Sequence, residues 1–286
     1  MTECAVCFPA DRLSLVGIFT RPEDGGNRRT PAMVFLNAGL IHRVGPNRLY
    51  VRLAREAARR GLASLRFDLS GIGDSLPRTD GLPVRAAALR DVQDAFDFLS
   101  TSMAISSFIL VGLCSGADLA YRVAVADKRV VGVVLIDGLP YRTVRSRAND
   151  GLRRVARAVV NGRWRRLLSK NGFVRRNLAR LATRQNTATS DHAGATPSSS
   201  GRDIPPRVEA ASGLREMVTR GVKVLVIYTE MRGYNYRGQF ANLFPQVPRG
   251  SVQVEYLKGS DHTFDLVASQ DCLVRVVDQW VARFRV

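Results

Sequence analysis

One cysteine stands in a pattern that suits a nucleophile. Residues 112–116 read Gly-Leu-Cys-Ser-Gly, the spacing of a nucleophile elbow, in which a sharp turn joins a strand to a helix. The nucleophile of such a turn has a strained backbone, so only small residues two positions away on either side let strand and helix pass each other. Taking Ser115 as the nucleophile would place Leu113 where a small residue is needed. Cys114 is therefore the better candidate.

The position predicted for Cys114, at the N-terminus of a helix, favours a thiolate, because unpaired N–H groups and the helix dipole stabilise negative charge there. The alternative is an inert, buried thiol. Of the three histidines, His262 is the candidate general base, since it falls between a predicted strand and the closing helix. His192 lies in a low-complexity segment, and His42 either lines a pocket or bonds the local backbone.

Strands and helices alternate around these residues. An apolar strand at 107–111 feeds the elbow, and the continuous apolar run 130–136 is typical of a strand that is covered on both faces. This alternation predicts an α/β fold with a mostly parallel sheet and helices on both faces. The other predicted strands are 4–8, 13–19, 32–36, 64–67, 222–228 and 252–257, and the other predicted helices are 48–60, 84–100, 236–243 and 264–284.

The net charge of +18 is concentrated in one segment. Residues 141–185 contain 14 Lys or Arg and one acid, Asp150. Apolar residues recur there at helical spacing, which predicts short basic helices over 142–185, and the Ser-, Thr-, Ala- and Gly-rich stretch that follows predicts a flexible loop over 186–206. We therefore expect a core of residues 1–140 and 214–286, with residues 141–213 inserted as a helical lid after the strand that ends at Asp137.

The remaining composition suggests no cofactor. Cys4 and Cys7 have the spacing of half a metal site, but no second Cys or His pair follows at ligand spacing. The longest apolar runs are of strand length, and no charged-then-apolar leader opens the chain. We expect a cytoplasmic protein without a metal ion, in which a free thiol at position 114 would persist.

The order of these parts resembles the α/β-hydrolase superfamily along nearly the whole chain. The stretches LNAGLIHRVGPNRLYVRLAREAARRG, RFDLSGIGDS, GLCSGA and GSDHTF are similar more narrowly to serine-aminopeptidase-like hydrolases, including those associated with exosortase systems. The departure is Cys in place of the elbow Ser. Cysteine elbows also occur in dienelactone hydrolases and polyhydroxyalkanoate synthases, so the resemblance remains compatible with activity.

The resemblance implies a catalytic triad and an oxyanion hole. Cys114 would be the nucleophile and His262 the base. The acid usually follows the strand at 222–228, which favours Glu230, while Asp137 at the end of the preceding strand is the alternative. The backbone N–H of Ser115 and one from Gly39 or Leu40 would form the oxyanion hole. Asp68 and the turn at residues 71–73 are expected to hold the loop beside the site.

Two classes of function follow from these residues. The first is an enzyme that attacks an ester or thioester through an acyl-cysteine, as hydrolase or acyltransferase, on a small-molecule or carrier-bound acyl substrate. The second is a catalytically silent hydrolase fold that docks on an anionic partner through its basic lid. An acidic acyl carrier protein or an anionic membrane surface would suit the arginines, nucleic acid is not expected, and a solvated face without a partner is the plain alternative.

Overall fold

The structure is a computed structural model that describes residues 1–10, 13–23, 30–160, 202, 204–230, 234, 236 and 238–284. Within these described residues, eight strands form one sheet in the order β1-β2-β4-β3-β5-β6-β7-β8. The first two strands form an antiparallel hairpin, β2 pairs antiparallel with β4, and all further pairs are parallel. The strands are β1 Thr2–Ala10, β2 Leu13–Arg21, β3 Ala32–Leu36, β4 Ser64–Phe67, β5 Phe108–Leu113, β6 Val130–Ile136, β7 Lys223–Thr229 and β8 Val252–Leu257.

Helices cover both faces of the sheet, as predicted for this fold class. The described helices are α1 Leu49–Arg59, α2 Val84–Met103, α3 Ser115–Ala126, α4 Val144–Val160, α5 Arg207–Thr219, α6 Gln239–Leu243 and α7 Val267–Val281. Apolar side chains of α1 and α7 pack on one face, and those of α2, α3, α5 and α6 pack on the other. Both faces are therefore buried, which explains why the central strands are continuous apolar runs.

Strand β5 shows how the sheet positions the elbow. All six of its residues are buried; Phe108 and Leu110 face the α3 side, whereas Ile109, Val111 and Leu113 belong to the opposite core. In the parallel pairing of β5 with β6, Leu113 lies opposite Ile136. The residues that follow these two strands, Cys114 and Asp137, therefore meet at the same edge of the sheet.

The chain divides into two compact units, one of residues 1–142 and 202–286, and one of residues 143–201. The first contains the whole sheet, and α4 lies in the second. The helices predicted over 161–185 lie outside the described residues, as does nearly all of the loop predicted over 186–206. Among the helices that the structure describes, none combines the length and the apolarity needed to cross a membrane.

Helix α5 was not predicted, and its first half falls within the segment assigned to the insertion. Its buried positions include Ala210, Ala211, Leu214 and Met217. Small alanines and Gly213 on the packed face give a weak hydrophobic period, which explains why the pattern did not indicate a helix. A Cβ at Gly213 would lie 2.1 Å from the Tyr121 hydroxyl, so the small residue is required by the close approach of α5 to α3.

Candidate active site

Cys114 occupies a strained turn between β5 and α3. Its φ of 58° and ψ of −118° are unusual for a residue with a side chain. The flanking glycines permit this turn, since a Cβ at Gly112 would lie 2.1 Å from the Gly116 carbonyl oxygen, and one at Gly116 would lie 2.5 Å from that of Asn37. The backbone N–H of Cys114 donates to the Ile136 carbonyl at 2.9 Å, which fixes the turn to β6.

His262 lies in the loop after β8 and contacts Asp137 at the end of β6. Its Nδ1 is 2.6 Å from Asp137 Oδ2, so Nε2 is the ring nitrogen left for the thiol. The Asp137 side chain is 1 % exposed and that of His262 is 14 % exposed. Thr229 also bonds this carboxylate, through its N–H to Oδ1 at 2.8 Å and through its hydroxyl to Oδ2 at 2.7 Å. The Asp137 carboxylate is thus held by hydrogen bonds from both Thr229 and His262.

The electrostatics of the site favour an ion pair between Cys114 and His262. The hydrogen bond to Asp137, followed by the one to Cys114, raises the pKa of His262 to about 9, although burial acts in the opposite direction. Burial is the largest single influence on Cys114 and raises its pKa. The hydrogen bond from His262, the charge of Arg202 and the N–H of Ser115 outweigh burial, so that the pKa of Cys114 is lowered overall.

The structure places Glu230 away from the imidazole, in contrast to the preference for Glu230 over Asp137. Glu230 Oε2 accepts a hydrogen bond from the backbone N–H of Gly259 at 3.0 Å, and the Glu230 N–H donates to the Ser260 carbonyl. The carboxylate therefore stabilises the turn that leads to His262. The side chain that contacts the ring is that of Asp137, because β6 ends directly beside the elbow. Asp137, and not the favoured Glu230, is therefore the carboxylate in position to orient His262.

Two of the backbone groups named for the oxyanion hole, those of Ser115 and Gly39, lie at the elbow. The Ser115 N–H donates towards Cys114, where it contributes to the lowered pKa of the thiol. The N–H of Gly39 donates to the Ser115 hydroxyl at 2.8 Å, so this donor already has an acceptor. Leu40, the next residue, is 88 % exposed. A substrate oxygen that used the Gly39 donor would have to displace the Ser115 hydroxyl.

A buried carboxylate, Asp68, fixes the loop that carries Gly39. Its Oδ1 accepts from the Asn37 amide at 3.1 Å and from the Arg43 backbone N–H at 2.5 Å, and its Oδ2 pairs with the Arg43 guanidinium. A Cβ at Gly73 would lie 2.3 Å from this same oxygen. The role expected of Asp68 and of the turn at residues 71–73, holding the loop beside the site, matches these contacts.

Three further residues support the site and were not singled out from the sequence. The Tyr50 hydroxyl donates to the Leu36 carbonyl and accepts from the Leu113 N–H, both at 3.0 Å, which ties the ends of β3 and β5 together. Thr229 bonds Asp137, and Arg202 lies beside Cys114. The position of Thr229, at the end of the strand next to β6, was the available signal; Arg202 stands in a segment whose composition indicated only a loop.

Two further sets of candidate residues remain, the other two histidines and the cysteines of β1. His42 is exposed, and its carbonyl accepts a hydrogen bond from Gly45; His192 lies outside the described residues. Cys4 and Cys7 are exposed free thiols on β1. No group of three or more His, Cys, Asp or Glu side chains arranged to bind a metal occurs in the described part of the chain.

Solved structures of similar fold cover the chain almost completely at low sequence identity. A proline iminopeptidase from Mycobacterium smegmatis has 16% identity and a TM-score of 0.58, over 98% of both chains. A dienelactone hydrolase from Anabaena variabilis has 16% identity and a TM-score of 0.57, over 99% of this chain and 97% of the other. An alpha-beta serine hydrolase homologue from Coxiella burnetii has 14% identity and a TM-score of 0.57, with the same coverage. These likenesses establish the fold.

Sequence comparison establishes the family. No curated protein has a significant sequence match to this chain. The model of the alpha/beta hydrolase family matches residues 33–278, which include the elbow, Asp137 and His262. The chain belongs to the alpha/beta hydrolase family.

Proposed function

We propose that this protein is a cysteine-dependent acyl hydrolase or acyltransferase that acts on an ester or thioester. The observation that carries the proposal is the convergence of three side chains at the elbow: the Cys114 thiol, the His262 ring and the Asp137 carboxylate 2.6 Å from that ring. A thiol paired with an imidazolium is a ready nucleophile, and the strained turn presents it at the end of the sheet.

The first half of the reaction forms an acyl-cysteine. The Cys114 sulfur attacks the carbonyl carbon of the substrate, and the electron pair of the C=O bond moves to oxygen. The Ser115 N–H, with the Gly39 or Leu40 N–H, stabilises this oxyanion. Collapse of the intermediate breaks the bond to the leaving alkoxide or thiolate, which takes the proton from His262 Nε2.

The second half transfers the acyl group and restores the thiol. Neutral His262 removes a proton from an incoming water, alcohol, thiol or amine, which attacks the acyl carbon and expels the Cys114 sulfur. Asp137 keeps the ring in the tautomer that this step requires, because its carboxylate accepts a hydrogen bond from the Nδ1–H group. Water as the acceptor gives hydrolysis, and any other acceptor gives acyl transfer.

A panel of acyl thioesters and esters of graded chain length, followed by intact-mass spectrometry, tests the proposal. We expect a covalent adduct of acyl mass on Cys114, with turnover that Cys114→Ala abolishes. Cys272→Ala is the matched control, since Cys272 is a partly buried thiol on α7 and should leave turnover unchanged. Full activity in Cys114→Ala would overturn the mechanism.

Docking on an anionic partner is the second candidate, and the charge of residues 141–185 favours it. Helix α4 begins this segment, and Arg145 and Arg147 are exposed on it. On this interpretation, the protein binds vesicles containing an anionic lipid in a salt-sensitive manner, and Cys114→Ala binds as well as the wild type. Sedimentation with anionic and with neutral vesicles measures this directly; equal binding to both would exclude a charge-directed surface.

A further inference from the structure

Arg202 is buried against the elbow although it stands at the end of a long polar segment. Its side chain is 7 % exposed. Its Nε lies 2.7 Å from Asp118 Oδ2, and its Nη2 lies 2.6 Å from the same oxygen. The same Nη2 donates to the carbonyl of Cys114 at 3.0 Å and to that of Asp137 at 3.3 Å. One guanidinium thus contacts the backbone of both the nucleophile and the acid.

These contacts join the segment of Arg202 to the start of α3 and to the end of β6. Asp118 lies in the first turn of α3, and its other oxygen accepts from the Leu139 N–H at 3.1 Å. Asp137 and Leu139 both have positive φ, of 50° and 46°, so the chain after β6 turns sharply where these bonds form. Asp118 and Arg202 together therefore hold the end of β6 against the start of α3.

We propose that Arg202 is a positioning residue for the nucleophile, which fixes the Cys114 turn relative to Asp137 and presents its positive charge to the thiol. The proposal rests on the proposed function, because a nucleophile needs such support only if Cys114 reacts. If Arg202 had a purely structural role, its ion pair with Asp118 would be sufficient. The additional bonds to the carbonyls of Cys114 and Asp137 direct the guanidinium to the reacting groups.

The charge of Arg202 should act on the thiol because the guanidinium is buried and bonds the backbone carbonyl of the same residue. It lowers the pKa of Cys114, in the same direction as His262 and against burial. The other titratable or charged groups around the thiol are His262 after β8, Asp137 after β6, Asp118 on α3 and Tyr50 on α1. The pH profile of a single protein would contain the effects of all these groups. The effect of Arg202 is therefore measured as a difference between variants.

The test is the rate of alkylation of Cys114 by iodoacetamide as a function of pH, read by peptide mass so that the other thiols do not contribute. This rate follows the thiolate fraction and needs no substrate. For Arg202→Gln we expect a profile displaced to higher pH, with alkylation near pH 6.5 slowed about three- to tenfold and the rate at high pH within about twofold of the wild type. Arg202→Lys keeps the charge and should lie between the two.

Arg220→Gln is the matched control. Arg220 binds the carbonyls of Val125 and Ala124 at the far end of α3, with Nη1 2.7 Å from that of Val125. Its loss removes a similar clamp without moving charge near the thiol, so the alkylation profile should stay in place. Coincident profiles for Arg202→Gln and the wild type, or equal displacement by Arg220→Gln, would overturn the proposal.

Acyl transfer is measured on the same variants to separate this inference from the proposed function. If the wild type forms no acyl-enzyme but Arg202→Gln displaces the alkylation profile, the proposed reaction is wrong, and only the effect of Arg202 on the Cys114 thiol stands. If turnover occurs and the profiles coincide, only Arg202 is misassigned. Should Arg202→Gln fail to fold, Arg202→Lys decides: no displacement and an unchanged kcat would refute the positioning role.

Discussion

Replacing Asp137 with Asn should separate the two candidate acids. Asp137 contacts His262 Nδ1 at 2.6 Å, and Glu230 instead accepts from the Gly259 backbone. The amide of Asn is nearly isosteric but uncharged, so it cannot stabilise the imidazolium in the same way. We therefore expect the pKa of His262 to fall from about 9 towards its ordinary 6.5.

The size of the effect follows from the protonation of the ring. At about pH 7.5, a pKa near 9 leaves nearly every ring protonated, whereas a pKa of 6.5 leaves roughly one in ten. Loss of the general acid alone should then lower kcat/KM about tenfold, and the lost control of the tautomer adds to this. We expect a total loss of about ten- to a hundredfold, or ~1.4–2.8 kcal/mol of transition-state stabilisation.

The assay is the hydrolysis of a chromogenic acyl thioester, with Glu230→Gln as the matched control. Glu230→Gln keeps an acceptor for the Gly259 N–H and should change kcat/KM less than about twofold at the pH of the assay. Circular dichroism would show that Asp137→Asn is folded, since this side chain also bonds Thr229. A greater loss in Glu230→Gln than in Asp137→Asn would refute the assignment of the acid.

Three further expectations concern the nucleophile and its surroundings. The pH dependence of kcat/KM should be bell-shaped. Activity should fall on the acid side, at a pH below the ordinary pKa of a thiol, as the Cys114 thiolate is protonated, and on the alkaline side near pH 9 as His262 loses its proton. An alkaline limb near pH 6.5 would contradict the raised pKa of His262. Gly116→Ala should lower the free energy of unfolding by ~2–4 kcal/mol, because its Cβ would lie 2.5 Å from the Asn37 carbonyl oxygen. Gly151→Ala, an exposed position inside α4 with open space around it, should instead leave thermal stability unchanged or raise it by up to ~1 kcal/mol. Ser115→Ala frees the Gly39 N–H from its hydroxyl acceptor and should raise kcat/KM about two- to fivefold, which corresponds to part of the free energy of one hydrogen bond. A decrease in kcat/KM would show that the Ser115 hydroxyl itself donates to the oxyanion.

The elements were predictable where one physical signal dominated. Strands β3 and β6 have the predicted ends, because each is an apolar run bounded by turn residues or by a change to polar residues. Strands β4 and β8 also have the predicted ends, although polar residues interrupt both. A Cβ at position 112 or 116 would overlap neighbouring backbone atoms, so both positions require glycine. The glycine spacing around Cys114 therefore indicates the elbow from the sequence alone. Helix α5 was missed because its buried face consists largely of Ala and Gly, which give little periodicity.

The acid could not be chosen from the sequence for a different reason. Glu230 and Asp137 both follow strands that end at the same edge of the sheet, so each was within plausible reach of His262. The choice depends on which strand lies next to β5 and on how the two strands are aligned. Ile136 of β6 pairs with Leu113 of β5, so Asp137 and Cys114, the residues that follow, are neighbours. Arg202 was still less accessible, because its neighbours in sequence carry no pattern and its partners are more than 60 residues away.

The position of Asp137 has a consequence for how the site is built. Cys114 and Asp137, the proposed nucleophile and acid, follow adjacent, directly paired strands, and the Cys114 N–H donates to the carbonyl of Ile136, the residue just before Asp137. The spacing of these two residues is therefore fixed by the sheet and depends little on the loop that follows β7. His262 reaches the site from the loop after β8, and Glu230 stabilises the turn before it through Gly259. Under the proposed function, Glu230 would influence the reaction through the placement of the imidazole, and Arg202 through the placement of the thiol, while Asp137 would set the charge of the imidazole.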